Sequence, residues 1–127
     1  MCLLALLAPL ALVTGCSPTS AQTDGRLSLV ASTNVYGDIA GVIAGRYADI
    51  TTFIDNPAQD PHSYEANARD ELAISKADVI VANGGGYDDF VEQLRSAAGG
   101  QPGTLINVVE LSDGAASGGA DLNEHVW

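Results

Sequence analysis

The strongest indication of the fold is the segment Asp78-Val79-Ile80-Val81-Ala82-Asn83, followed directly by Gly84-Gly85-Gly86. A continuous apolar run of this length between turn-forming residues is typical of a strand buried on both faces, as in a parallel sheet. The three glycines end the strand. They lack both the Gly-x-Gly-x-x-Gly spacing and the Lys-Ser/Thr of a phosphate-binding loop. We therefore predict an ordinary strand-to-helix turn after this strand.

Strand-like and helix-like segments alternate on both sides of this stretch. The first helix is predicted from apolar residues at helical spacing (Val35, Ile39, Val42, Ile43), with Asn34 as its cap and Gly45 as its stop. Asp88 and Asp89 are predicted to form the acidic first turn of a later helix. Such alternation implies an α/β fold, with a mostly parallel four-stranded sheet flanked by helices. The predicted strands are 27–32, 49–54, 78–83 and 104–109, and the predicted helices follow Asn34 and span 68–77 and 87–98.

The chain is strongly acidic, with 16 Asp plus Glu, 5 Lys plus Arg and a net charge of -11. Nucleic-acid binding relies on cationic neutralisation of phosphates, so this balance argues against a nucleic-acid partner. It is compatible with a cationic partner, although an acidic surface also serves solubility alone. The charge therefore argues against a nucleic-acid partner but does not identify the actual partner.

The amino terminus predicts export and lipid anchoring. Residues 1–15 are almost entirely apolar, too few to span a bilayer as a helix but suited to a secretory signal. Val13-Thr14-Gly15-Cys16 resembles a bacterial lipobox, which predicts lipid attachment at Cys16. No charged residue precedes Asp24, so the usual basic start is absent, and a true start upstream stays open. We divide the chain into a signal (1–15), a flexible polar tether (16–25) and one globular lobe (26–127).

The chain has only two histidines, and both lie where loops are predicted. His62 follows the second predicted strand and His125 follows the fourth. Ligands of open α/β sheets bind outside the carboxyl ends of the strands, so both histidines are expected at one edge. Neutral imidazole is a common ligand for zinc-like metals. A lone loop histidine is more often solvated or locally hydrogen-bonded, so spacing alone leaves both readings open.

Taken together, the motifs resemble those of the cluster A-I metal-binding lipoproteins, the receptor components of bacterial zinc and manganese ABC importers. The resemblance covers the amino-terminal half of such a receptor and nearly all of the mature residues. The matching motifs occur in the family order: the lipobox, Asn34-Val35-Tyr36-Gly37-Asp38-Ile39-Ala40, Asp60-Pro61-His62-Ser63-Tyr64-Glu65, Ala77 to Gly84, and Asn123-Glu124-His125-Val126-Trp127.

The resemblance implies one lobe of a two-lobed, periplasmic-binding-protein-like receptor that is extracytoplasmic and anchored to the membrane by lipid. It implies that His62 and His125 bind zinc or manganese, with further ligands from a second lobe that this sequence does not include. The implied partners are a divalent metal ion and an ABC permease. We expect the chain to be a fragment that binds metal weakly by itself, because zinc sites normally have four ligands.

An enzyme and an adhesion or scaffold module are the two alternatives to the receptor. The sequence has no nucleophile elbow, no Cys–His pair outside the signal and no His-Glu-x-x-His helix, so we predict that it is not an enzyme. The alternative is a surface-tethered adhesion or scaffold module with a vestigial or incomplete metal site.

Overall fold

Four parallel strands form the sheet of this protein. The structure is a computed structural model that describes residues 25–99, 102–112 and 125–126, so the predicted signal and nearly all of the tether lie outside the described residues. The order of the strands in the sheet is β2-β1-β3-β4. The predicted α/β fold with a parallel four-stranded sheet is confirmed. The strands are β1 (Leu27–Thr33), β2 (Ala48–Ile54), β3 (Val79–Ala82) and β4 (Thr104–Asn107).

Helices connect the strands, and two short 3-10 turns supplement them. Among the described residues, no helix is both long enough and apolar enough to span a membrane. The helices are α1 (Asn34–Ala44), α2 (Ala68–Lys76), α3 (Phe90–Ala97) and α4 (Val108–Leu111), and the 3-10 turns are Gly45–Tyr47 and Pro61–Ser63.

The sheet separates two apolar clusters, as its buried strand predicts. Helices α2 and α3 cover one face, where Ile74 and Phe90 pack with buried side chains such as Val30 and Ile80. Helix α1 contacts β1 and β2 on the opposite face, where Tyr36 packs in the second cluster. The helices therefore leave the carboxyl ends of the strands to the connecting loops.

Helix α1 faces the sheet with a different side from the one its apolar pattern suggests. Gly37 is buried, and a Cβ there would overlap Thr52 Oγ1, so the helix lies very close to β2. This close approach turns the larger apolar residues away: Val42 is 87% exposed and Ile43 is 79% exposed. The prediction of Asn34 as the cap is also wrong, because Thr33 holds the N-cap position and makes no side-chain cap hydrogen bond.

Two predicted boundaries shift because side chains interrupt the backbone pattern. Strand β4 ends at Asn107, two residues before the predicted end at residue 109. The Asn107 Oδ1 accepts a hydrogen bond from Glu110 N, and α4 begins at Val108. Helix α3 begins at Phe90 instead of residue 87. The prediction that Asp88 and Asp89 form the first turn of this helix is wrong: the Asp88 carboxylate binds the preceding turn, and Asp89 holds the N-cap position.

Candidate metal centre

His62 lies on the 3-10 turn that follows β2. Its backbone N–H donates to Asp60 Oδ1 at 3.0 Å, and the Ser63 hydroxyl donates to the Asp60 carbonyl oxygen at 3.1 Å. Pro61 between them is buried, and proline also restricts the residue before it to extended conformations. The backbone is therefore fixed while His62 itself is exposed. The Asp60 carboxylate thus stabilises the turn that carries His62.

The turn after β3 is held by a buried carboxylate. Asp88 is only 2% exposed; its Oδ2 accepts from Asn83 N at 2.7 Å and its Oδ1 accepts from Gly84 N at 2.8 Å. Gly84, Gly85 and Gly86 all have positive φ values of 76°, 66° and 94°, which glycine adopts without steric cost. The glycines thus give the turn its shape, and Asp88 fixes its start.

A second buried contact supports the same turn from α1. The Tyr36 hydroxyl donates to Asn83 Oδ1 at 2.5 Å. Burial, followed by the nearby charge of Asp88, raises the pKa of Tyr36 to about 12. The hydroxyl therefore stays protonated as a donor at any physiological pH. Tyr36 ties the first helix to the end of the central strand β3.

Tyr87, carried by this turn, contacts both histidines. The ring centroids of His62 and Tyr87 are 5.4 Å apart with an interplanar angle of 82°, and those of His125 and Tyr87 are 5.3 Å apart at 68°. Edge-to-face contacts of this kind are favourable for aromatic rings. Residues from three separate loops thus meet at the carboxyl edge of the sheet. Sequence reasoning did not point to Tyr87 as a site residue, although its position directly after a glycine turn at this edge was the available signal.

Chemically, the edge offers two imidazoles beside one tyrosine ring. Within the described ranges, no three or more His, Cys, Asp and Glu side chains are grouped so that they could hold a metal ion. Two imidazole nitrogens supply half of the four ligands that zinc normally takes. A polar pocket of about 230 Å³ adjoins His62 and is also lined by Asp89 and Gln93. Cys16, the predicted site of lipid attachment, lies outside the described residues.

A parallel α/β lobe with ligand-type side chains at its carboxyl edge defines a lobe of the periplasmic-receptor class. A family model described as ZnuA, zinc-uptake complex component A, periplasmic, matches residues 29–127. This match covers most of the chain, which therefore belongs to that family.

Individual relatives agree with this assignment. The chain is 31% identical over 118 residues to the manganese-binding lipoprotein MntA of Halalkalibacterium halodurans, a match that covers 89% of this chain and 37% of the relative. The periplasmic zinc-binding protein TroA of Treponema pallidum superposes with a TM-score of 0.64 at 25% identity, over 80% of this chain and 35% of TroA. The Pseudomonas aeruginosa protein FpvC in complex with Ni²⁺ superposes with a TM-score of 0.57 at 30% identity, over 66% of this chain and 31% of FpvC. The chain thus spans less than two fifths of the length of each.

Proposed function

We propose that this chain is the amino-terminal lobe of an extracytoplasmic receptor that delivers a divalent metal ion, zinc or manganese, to an ABC importer, and that it is not an enzyme. The observation that carries the proposal is the contact of both histidine rings with Tyr87. The names of the family and of its relatives include zinc and manganese binding, which supports a metal as the transported ligand. The same names give no support to the adhesion or scaffold alternative.

In this proposal His62 and His125 are metal ligands, and the remaining ligands come from a second lobe of a longer protein. Its relatives are more than twice as long as the segment matched here, which leaves room for such a lobe. Two ligands leave the rest of the coordination sphere to water. The isolated chain should therefore bind metal weakly, with a dissociation constant in the micromolar range or higher.

A titration of the monomeric chain with Zn²⁺ or Mn²⁺, followed by calorimetry, tests both histidines. We expect His62→Ala and His125→Ala each to weaken binding by at least ~10-fold, since each removes one of the two imidazole ligands. Asp38→Asn is the control, because it removes an exposed carboxylate charge from α1 and leaves both imidazoles in place. Unchanged affinity in either histidine variant would contradict the ligand assignment. Submicromolar affinity of the monomer would contradict the need for a second lobe.

We also propose that residues 1–15 are a signal, that 16–25 are a tether and that Cys16 carries lipid, which places the lobe outside the cytoplasm at the membrane. The support is the lipobox-like sequence before Cys16 and the lipoprotein name of the relative MntA. Intact mass of the protein extracted from its own membrane tests this. A lipid adduct on a chain that begins at Cys16 is expected, and an unmodified amino terminus that retains residues 1–15 would contradict it.

A further inference from the structure

An apolar groove runs along the face of the sheet that α1 covers only in part. Helix α1 contacts β1 and β2, and beside it a groove of about 350 Å³ lies against β3 and β4. A parallel sheet normally has both faces covered, so apolar side chains are favoured in this groove. The side chains that line it include Leu29, Ile39, Val81, Ile106 and Val126.

One peptide unit connects this groove to the candidate metal centre. Val126 is half-buried and lines the groove, whereas the preceding residue, His125, is exposed and contacts Tyr87. The backbone at Val126 cannot move out of the groove without carrying His125 with it. Burial of an apolar side chain is favourable in proportion to the area removed from water, so the groove resists that movement.

Tyr87, the ring that His125 contacts, is also supported by a residue of this groove. Tyr36 forms part of its lining, and the Tyr36 hydroxyl bonds to Asn83 directly before the glycine turn that carries Tyr87. Residues that line the groove therefore support both rings of this contact: Tyr36 supports Tyr87 through Asn83, and Val126 is bonded directly to His125. His62, by contrast, is fixed through Asp60 and Pro61, and neither of these residues lines the groove.

We propose that Val126 is the positioning residue for His125: its side chain, seated in the apolar groove, holds the His125 imidazole against Tyr87. The effect of Val126 on metal affinity rests on the proposed ligand role of His125, whereas its effect on the ring contact does not. An imidazole that is already held in place loses less conformational freedom when it binds a metal.

The test compares Val126→Ala with the conservative variant Val126→Ile in the full chain. Because the protein has only two histidines, their ring protons can be assigned by NMR from His62→Ala and His125→Ala. We expect Val126→Ala to abolish the nuclear Overhauser effects between the His125 and Tyr87 rings and to leave those between His62 and Tyr87 intact. Val126→Ile should retain the nuclear Overhauser effects between the His125 and Tyr87 rings. Val42→Ala is the matched control, because Val42 is exposed on α1 and does not line the groove.

Zn²⁺ affinity provides the second readout. We expect Val126→Ala to lower the Zn²⁺ affinity on the order of fivefold, which corresponds to the loss of part of one small apolar contact. Val126→Ile should keep the wild-type affinity. Retention of the His125–Tyr87 effects in Val126→Ala overturns the proposal, whatever the affinity does. Their loss without any change in Zn²⁺ affinity supports the anchoring by Val126 and contradicts the ligand role of His125, so the two failures are distinguishable.

Discussion

Two aspartates near the histidines bind backbone amides. Asp60 accepts from the N–H of His62, and both carboxylate oxygens of Asp88 accept from the start of the glycine turn. Hydrogen bonds from N–H groups to a carboxylate are stronger than those between neutral groups. Part of the chain's acidic excess therefore fixes the loops that carry His62 and Tyr87, which its net charge alone does not reveal.

Replacement of Asp88 by Asn tests whether its carboxylate fixes the start of the glycine turn. The Asn side chain has one acceptor oxygen, and its NH₂ group would face one of the two backbone donors. We expect Asp88→Asn to lower the free energy of unfolding by about 2 kcal/mol, because a buried donor loses its partner. Urea unfolding followed by circular dichroism measures it. Asp89→Asn is the control: Asp89 is exposed and makes no side-chain cap bond, so its effect should stay within about 0.5 kcal/mol. Equal effects of the two substitutions would refute the role of Asp88.

At the level of elements, the close packing of α1 against the sheet depends on glycine at position 37, which has no side chain. A Cβ at Gly37 would overlap Thr52 Oγ1 of β2, whereas a Cβ at Gly41 would meet only Ile50 Cδ1 at 3.7 Å, an ordinary contact. Both glycines lie on the same helix, one turn apart. The close approach at Gly37 also explains why the larger apolar residues of α1 face outward.

The two glycines should therefore respond to alanine in opposite directions. We expect Gly41→Ala to stabilise the protein by about 0.5–1 kcal/mol, since alanine favours the helix. Gly37→Ala should destabilise it by about 1–3 kcal/mol, because either the Thr52 side chain or the helix must move to make room for the added methyl group. Thermal or urea unfolding of the single variants checks the signs, and adding Thr52→Ala to Gly37→Ala should recover part of the loss. Stabilisation by Gly37→Ala alone would show that the approach is not tight.

Two tyrosines on opposite faces of the sheet link the stability of the whole molecule to pH. Tyr36 packs with the cluster beneath α1, and Tyr64 packs against the cluster beneath α2 and α3. Burial, followed by the hydrogen bond that its hydroxyl donates to Asp70, raises the pKa of Tyr64 to about 12, the value that Tyr36 also reaches. In the unfolded chain a tyrosine ionises near 10. Between these two values unfolding releases a proton, so rising pH favours the unfolded state.

The stability that these groups contribute is complete below pH 10 and is lost as the pH rises towards 12. We expect urea midpoints of the wild type to fall across this range. The double variant Tyr36→Phe/Tyr64→Phe should show a shallower fall, because its two rings have no hydroxyl to ionise. Tyr47→Phe, which alters an exposed tyrosine, is the control and should keep the wild-type dependence. An unchanged slope in the double variant would rule out these two groups as its cause.

The parallel α/β sheet follows from the sequence alone, because an uninterrupted apolar strand and alternating helical periods reflect local steric and burial preferences. The sequence also marked His62 and His125, since their scarcity and loop positions are visible without coordinates. The buried side of α1, in contrast, follows from the packing of the folded chain, because it depends on how closely Gly37 approaches Thr52. This packing likewise determines that Asp88 clamps a turn and that Tyr87 contacts both histidines, since these contacts join residues whose separation is set by the packed sheet and not by their spacing along the chain.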